Sequence, residues 1–392
     1  MTYILVIDHI ATGGAERILI DYYHYLEAKG CKVCVFVLSG HEGQSQWTNG
    51  VNVIYGSRID EDNIIRKTVQ QTALYFKLNR LVKHVKPDVV FSFLEKSNLL
   101  TSIVRTKAVK VMTVHNVLSI QYTKVRDGFV RKALYGMIRW MYNRCGNVVA
   151  VSKQVKDDLV ASFGIKSDNI YVINNYVNRG DIRKKSKDTT DNFVFVDGVR
   201  YIMNVGRFSN QKAQWKLLKA FSLYVKGENK DNVHLVLMGH GEYIDRLKQL
   251  ADSLGISDKV TFLPFNVNPY KYMKHAHLFV LSSIYEGFPI VLAEASSLRI
   301  PFVGTRKAVP EEMFDDKEFW ETCIFDSTTL NADFSTEIHD DERCLAALLK
   351  KGVEDEAFRN KILKHTSQWE SCNDKLIQFC MYDELCENRE KR

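Results

Sequence analysis

Short apolar runs recur along the chain, each followed by a turn and then by residues spaced as on a helix. In the first half these are YILVIDHI (Tyr3–Ile10), CKVCVFVLSG, VNVIYG, DVVFSFL, VKVMTVHN, NVVAVS and YVINNYV; in the second, YIMNVG, NVHLVLMG, KVTFLPF, HLFVLSS and PFVG. The runs are nearly uninterrupted rather than alternating, as in strands buried on both faces of a parallel sheet. Helices are expected from Gly13 through Lys29, over Ile64–His84 (ended by Lys86-Pro87), over Val125–Arg144, along SKQVKDDLVASFG and after the turn that carries Lys212. Strand–helix alternation in two halves predicts two doubly wound α/β domains facing across a cleft. Arg179–Val199 is polar and aperiodic and reads as a linker. The expected domains are therefore 1–180 and 200–368, followed by a helical tail over 369–392.

Composition changes this picture little. With 392 residues there is room for two cores, and 45% hydrophobic and 26% charged residues are ordinary globular values. The net charge of +7 suits an anionic ligand or an anionic membrane surface, and no basic tail or nucleic-acid motif accompanies it. Cys31 and Cys34 form a CxxC inside a strand pattern, without a second pair or a nearby His to complete a zinc site. The eight cysteines read as reduced packing residues, which suggests a cytoplasmic protein. No leader segment and no membrane span are expected.

The chemistry concentrates in Tyr285–Ala295, YEGFPIVLAEA. Glu286-Gly287 turns out of a buried strand, Pro289 suits a first helical turn, and Glu294 lies inside the helix that follows. Two carboxylates then flank free backbone N–H groups at a positive helix end, where ligands bind in open α/β sheets. Carboxylates accept paired hydroxyls and N–H groups suit phosphate, so the expected ligand is a sugar nucleotide. GRFSNQK places Arg207 and Lys212 on another strand–helix turn, where two cations can clamp a diphosphate. Gly13 and Gly14 in ATGGAER, and Gly239 and Gly241 in GHGE, allow close approach of backbone to a ligand. His115 sits at a strand tip. Glu95 and Asn98 in SFLEKSN either touch an acceptor or cap a helix. Val125–Arg144 mixes Arg126, Arg131, Lys132, Arg139 and Arg144 with Phe129, Tyr135, Trp140 and Tyr142, which fits a membrane-surface helix or a core helix with a basic outer face.

TGGAER, TVHN, GRFSNQK, GHGE and EGFPIVLAEA, in this order and spacing, resemble the GT-B retaining glycosyltransferases of family 4 over nearly the whole chain. The resemblance implies that Glu286 contacts the donor sugar and Glu294 the nucleotide ribose. It implies that Arg207 and Lys212 neutralise the leaving diphosphate, and that His115 lies beside the donor sugar. Gly13, Gly14, Gly239, Gly241, Gly287, Phe288, Pro289 and Ile290 complete the donor side; Glu16, Glu95 and Asn98 are acceptor-side candidates. It further implies that the last helix, Trp369–Arg389, crosses back to the first domain. The chain departs from the family at PFVGTRKAVPEEM, where Arg306-Lys307-Ala308 replaces a glycine-rich loop, and at Tyr176, where the family has Gly. Arg306 and Lys307 are the alternative phosphate cations. With no Asp-x-Asp at a strand end, no metal or other cofactor is expected. The expected activity is retaining transfer of a sugar from a nucleotide-sugar, UDP favoured, to a glycan or lipid-linked saccharide in cell-surface polysaccharide synthesis. A GT-B sugar-nucleotide epimerase and a non-catalytic nucleotide-binding partner of a transferase are the rival readings.

Overall fold

The computed structural model describes residues 1–10, 13–40, 48–57, 64–123, 128–226, 232–372 and 375–387. The chain divides into two units, Met1–Asn175 with Leu376–Arg392, and Tyr176–Lys375. The first holds β1 (Thr2–Ile7), α1 (Gly14–Ala28), β2 (Lys32–Ser39), β3 (Val53–Ser57), α2 (Ile64–Val85), β4 (Val89–Phe93), α3 (Glu95–Ile103), β5 (Val109–Val114), α4 (Leu118–Gln121), α5 (Gly128–Cys145), β6 (Val148–Ala150), α6 (Lys153–Phe163) and β7 (Ile170–Val172). The second holds α7 (Arg179–Lys185), β8 (Arg200–Val205), α8 (Gln214–Val225), β9 (Val233–Gly239), α9 (Ile244–Ser253), β10 (Val260–Pro264), α10 (Tyr270–Met273), β11 (Ala276–Leu281), α11 (Ile290–Ser297), β12 (Phe302–Thr305), α12 (Lys317–Glu321), β13 (Ile324–Phe325), α13 (Asp340–Glu354) and α14 (Glu356–Cys372). The last helix, α15 (Lys375–Glu387), lies almost wholly in the first unit.

Each unit is a parallel sheet. The first runs β3-β2-β1-β4-β5-β6-β7 and the second β10-β9-β8-β11-β12-β13. Strands β1 and β4 are covered on both faces, as their unbroken apolar runs require. Chain order reverses beside β1, between β1 and β4, and beside β8, between β8 and β11. In open α/β sheets the carboxyl ends of the strands beside such a reversal are where ligands bind. Local signals delimit the helices well: Ser152 Oγ accepts from Val155 N at 3.2 Å to start α6, and Gly164, at φ 66, ends it.

Two expectations about organisation change. Arg179–Val199 is not a linker between units. Arg179–Lys185 is a helix, started by Asn178 Oδ1 accepting from Asp181 N, with Ile182 fully buried and Arg183 Nε donating to Ser297 O at 3.0 Å. One buried apolar residue in so short a helix leaves no periodicity to read. Further along, Phe195 stacks on His275 at 4.1 Å and meets Tyr201 edge-on at 4.7 Å. The return to the first unit also comes later than Trp369, which stays in the second unit against Phe288, 5.8 Å between ring centroids.

The helix α15 completes the core of the first unit. Tyr22, fully buried, packs on Phe379 at 4.9 Å, Tyr382 at 5.3 Å and Phe91 at 5.3 Å. Asp383 accepts from Tyr22 Oη and Tyr25 Oη of α1 and from Nζ of Lys29, the residue that caps α1. In the second unit the fully buried Lys216 of α8 pairs with Asp341 of α13 at 2.7 Å.

Candidate active site

The loops that leave β8 and β11 bind each other closely. Asn204 Nδ2 donates to Val280 O at 2.8 Å, and Gln214 Nε2 donates to Arg207 O at 3.1 Å. From the other side, Ile284 N donates to Gln211 O at 2.7 Å and Ser282 Oγ to Lys212 O at 2.8 Å. Within this frame Lys212 Nζ reaches Glu286 Oε1 at 2.6 Å. Glu286 is only 8% exposed, so its carboxylate needs a partner, and Lys212 supplies one. Ala213, next in the chain, holds a left-handed conformation at φ 48, ψ 42, which costs a non-glycine residue about 1 kcal/mol. That strained turn starts α8 and aims Lys212 toward β11. Arg207 is exposed on the same loop.

A third loop closes the frame. Glu286 N donates to Lys307 O at 3.0 Å, and Thr305 Oγ1 donates to Ser283 O. Arg306 grips Glu321 with two N–H groups, at 2.8 and 2.7 Å, and Asp326 with a third at 2.7 Å. Arg306 is thus committed to carboxylates and is not the alternative phosphate cation. Gly239 and Gly241 have a reason internal to the fold. A Cβ on Gly239 would lie 2.0 Å from Gly206 O, and one on Gly241 2.3 Å from Phe208 O. Only glycine lets these loops lie against the Arg207 loop.

Pro289 precedes α11 as its N-cap residue, with Gly287 and Phe288 buried and Ile290 half-buried. Glu294, one turn into α11 and 6% exposed, accepts from Tyr270 Oη at 2.7 Å. Tyr270 has no signal in the sequence; only the fold brings α10 to that carboxylate.

In the first unit the glycine turn before α1 already meets a carboxylate. A Cβ on Gly13 would lie 2.1 Å from Glu16 Oε2. Glu16 is buried there, with His9 Nε2 3.3 Å from its Oε1. Asn98 is fully buried, accepting from Ser92 Oγ at 2.7 Å and donating to Thr113 O and Tyr142 Oη. With those three bonds inside the core it is not an acceptor-facing residue, and its place in a polar-looking turn concealed this. His115 stacks on Phe93 and lies 2.8 Å from Thr113 Oγ1 through Nε2. Thr113 Oγ1 donates its one hydrogen to Ser92 O, so it accepts from His115 Nε2–H. Nδ1 is then left as an acceptor. Burial pushes His115 down to about 4, so the ring is neutral at physiological pH.

Glu95 opens α3 after Leu94, whose φ of 73 and ψ of 161 are costly for any side chain. Burial, and then the charge of Asp8, push its carboxyl up to about 7. Asp8, which closes β1, accepts from Ser97 N at 2.7 Å and Ser97 Oγ at 2.6 Å. An ionisable residue ending an apolar strand was a legible signal for Asp8; Gln121, which bonds Glu95, had none.

Helix α5 buries Ile138, Met141, Tyr142 and Cys145. Its outer face exposes Arg131, Lys132, Arg139 and Arg144, with Phe129 82% and Trp140 48% exposed. It therefore has both a packed stripe and a basic aromatic face; Val125 and Arg126 lie outside the described residues. Among those described, no helix is long and apolar enough to cross a membrane, and no group of three or more His, Cys, Asp or Glu is placed to hold a metal. Asp60-Glu61-Asp62, an Asp-x-Asp in the sequence after β3, also lies outside them.

A family model described as glycosyl transferases group 1 matches residues 186–369, and one described as glycosyltransferase family 4 matches residues 12–180. The chain is 27% identical over 320 residues, 80% of this chain and 84% of the relative, to the N-acetylgalactosamine-N,N'-diacetylbacillosaminyl-diphospho-undecaprenol 4-alpha-N-acetylgalactosaminyltransferase of Campylobacter jejuni. It is 29% identical over 231 residues, 55% of this chain and 60% of the relative, to the O-antigen chain mannosyltransferase RfbU of Salmonella typhimurium. Among solved structures, Anabaena HepE in complex with UDP and glucose superposes with a TM-score of 0.74 at 18% identity, covering 100% of both chains.

Proposed function

This chain belongs to the GT-B glycosyltransferases, with a family 4 amino-terminal half and a group 1 carboxyl-terminal half, and from that premise we propose that it moves a sugar from a UDP-sugar to a lipid-linked saccharide with retention of configuration. The observation that carries the reading is the Lys212–Glu286 pair at the order reversal of the second sheet, with Arg207 exposed on the same loop as Lys212. There Glu286 accepts donor-sugar hydroxyls and Glu294 the ribose, while Arg207 and Lys212 meet the negative charge that accumulates on the departing diphosphate. Gly239 and Gly241 border the base, and His115 Nδ1 accepts from a sugar hydroxyl. The acceptor hydroxyl attacks the face that the diphosphate leaves, and a leaving phosphate oxygen takes its proton.

The relatives named for an undecaprenol-linked acceptor and for O-antigen chains support a lipid-linked acceptor and a role in cell-surface polysaccharide. HepE, whose structure contains UDP, supports that base. The basic aromatic face of α5 supports docking on an anionic membrane surface, which would bring the site to a lipid-borne acceptor. Charge neutralisation by the two cations makes a metal unnecessary. Thermal shift with UDP, GDP and ADP tests the donor: UDP should raise the Tm most. Transfer from the preferred nucleotide-sugar should persist in excess EDTA. A requirement for added divalent metal would move the diphosphate charge onto a metal instead.

A further inference from the structure

We propose that Arg306 is a positioning residue for the transfer: by tying the turn after β12 to Glu321 and Asp326 it presets the backbone of Glu286, and with it the choice of donor sugar. The inference rests on the transfer reading above, in which Glu286 meets the donor sugar, and it assigns what holds that residue in place. Strands β12 and β13 pair over only two residues, Gly304 with Ile324 and Thr305 with Phe325. Arg306 carries the ladder one step further, its N donating to Phe325 O at 2.9 Å. Its side chain then bonds Glu321, which closes α12, through two N–H groups at 2.8 and 2.7 Å, and Asp326, just after β13, through Nε at 2.7 Å. The guanidinium also lies over the ring of Trp320, 5.4 Å from its centre, and Trp320 Nε1 donates to Val309 O at 3.2 Å. A single exposed ion pair contributes little, but a planar fork filled by two carboxylates and set against a ring has one geometry.

The turn so held is Thr305–Ala308, closed by Ala308 N donating to Thr305 O at 3.0 Å. Here the chain departs from the glycine-rich loop of the family, and glycines have no side chains by which such a loop could be tied from outside. On its other side the turn lies directly against the end of β11 and the loop beyond. A Cβ on Gly304 would come 2.5 Å from Leu281 O, Thr305 Oγ1 donates to Ser283 O, and Lys307 O accepts from Glu286 N at 3.0 Å. Lys307 follows Arg306 directly, so any drift of Arg306 moves the carbonyl that holds Glu286. Glu286 has little room for that, because it is almost closed off from solvent and its carboxylate already meets Lys212 at 2.6 Å. A displacement on the order of 1 Å at a reacting group costs up to about 10²-fold in rate. Free nucleotide should not feel the clamp, since in the transfer reading the ribose is held by Glu294 and only the sugar by Glu286.

The test compares wild type, Arg306→Ala, Arg306→Lys and Glu321→Gln in the full chain. Amide hydrogen exchange is read by mass spectrometry over the peptide that contains Glu286. Transfer is read by steady-state kinetics with the preferred nucleotide carrying either a hexose or an N-acetylhexosamine, and calorimetry of the free nucleoside diphosphate is the control. Arg306→Ala should speed exchange at Glu286 roughly tenfold or more, cut kcat by roughly 10–100-fold, and narrow the ratio of kcat/KM between the two sugars, with nucleotide affinity unchanged. Arg306→Lys should recover little, because an ammonium replaces the charge and not the fork. Glu321→Gln should give the same changes at smaller size, and it decides the matter if Arg306→Ala does not fold. Unchanged exchange would mean that the clamp does not hold Glu286, and faster exchange with wild-type kcat and sugar preference would reduce Arg306 to a fold contact; either result overturns the proposal. Faster exchange in a chain that turns over no nucleotide-sugar would keep the hold on Glu286 and overturn the transfer reading instead.

Discussion

At the scale of single residues, partnership tells more than position. Lys212 and Glu286 are 74 residues apart in sequence, and each is what makes the other tenable. An interaction that strengthens as the diphosphate departs lowers kcat when removed. Lys212→Ala should therefore cut kcat by roughly 10²–10³, with donor KM moving less. Because the same change strands Glu286, Lys212→Ala with Glu286→Gln should fall short of the product of the single effects. Steady-state kinetics on the three variants checks this, and a near-normal kcat for Lys212→Ala would place the charge stabilisation elsewhere. Glu95 gives a prediction of the opposite kind. Its folded-state value, about 7, lies above the ordinary 4.5, so the unfolded chain releases its proton first as pH rises. The stability it contributes is full below 4.5 and is lost as pH climbs through 7, a cost of about 3 kcal/mol. Glu95→Gln should thus raise the urea midpoint above neutrality and leave it unchanged in mild acid.

At the scale of elements, α5 carries two patterns on one helix. Its apolar positions serve the core of the first unit, while its cations and aromatic side chains face outward. The proposed docking on anionic lipid would use this face through charge and shallow insertion of rings. Replacing Arg131, Lys132 and Arg139 with Glu should abolish sedimentation with anionic liposomes at low salt and lower the Tm by no more than a few degrees, since surface substitutions usually cost less than about 0.5 kcal/mol each. Wild-type chain that stays in the supernatant would end the idea. The strained turns are also an element-scale feature. Leu94 before α3 and Ala213 before α8 both sit at helix starts beside the order reversals, where an ordinary turn would point Glu95 and Lys212 differently.

At the scale of the whole molecule, the chain ends where it began. Helix α15 returns to the first unit and supplies Phe379 and Tyr382 to a cluster centred on Tyr22, and Asp383 to three donors on α1 and its cap residue Lys29. Ending the chain after Cys372 would expose Tyr22 and Phe91 together, and the truncated protein should bind a hydrophobic dye and aggregate during expression. Asp383→Ala is the milder test. Loss of one acceptor shared by Tyr22, Tyr25 and Lys29 should cost about 1–3 kcal/mol in urea unfolding.

The sequence by itself determined the strand–helix alternation, because parallel strands buried on both faces leave unbroken apolar runs such as YILVI and VVFSF. It also marked the candidate turns: GRFSNQK and EGFPIVLAEA concentrate charged residues and turn formers where apolar runs stop. Pairing across the sheet was another matter. That Lys212 meets Glu286, that Tyr270 meets Glu294 and that Arg306 is taken by Glu321 and Asp326 follow from which strands become neighbours. No residue spacing along the chain encodes such adjacency. Burial decided the rest. Asn98 looked like a polar turn residue and lies wholly inside, and Gln121 looked like nothing at all until the fold set its amide against Glu95. A polar side chain is marked as functional or structural by the partners that folding gives it, and those are distant in the chain.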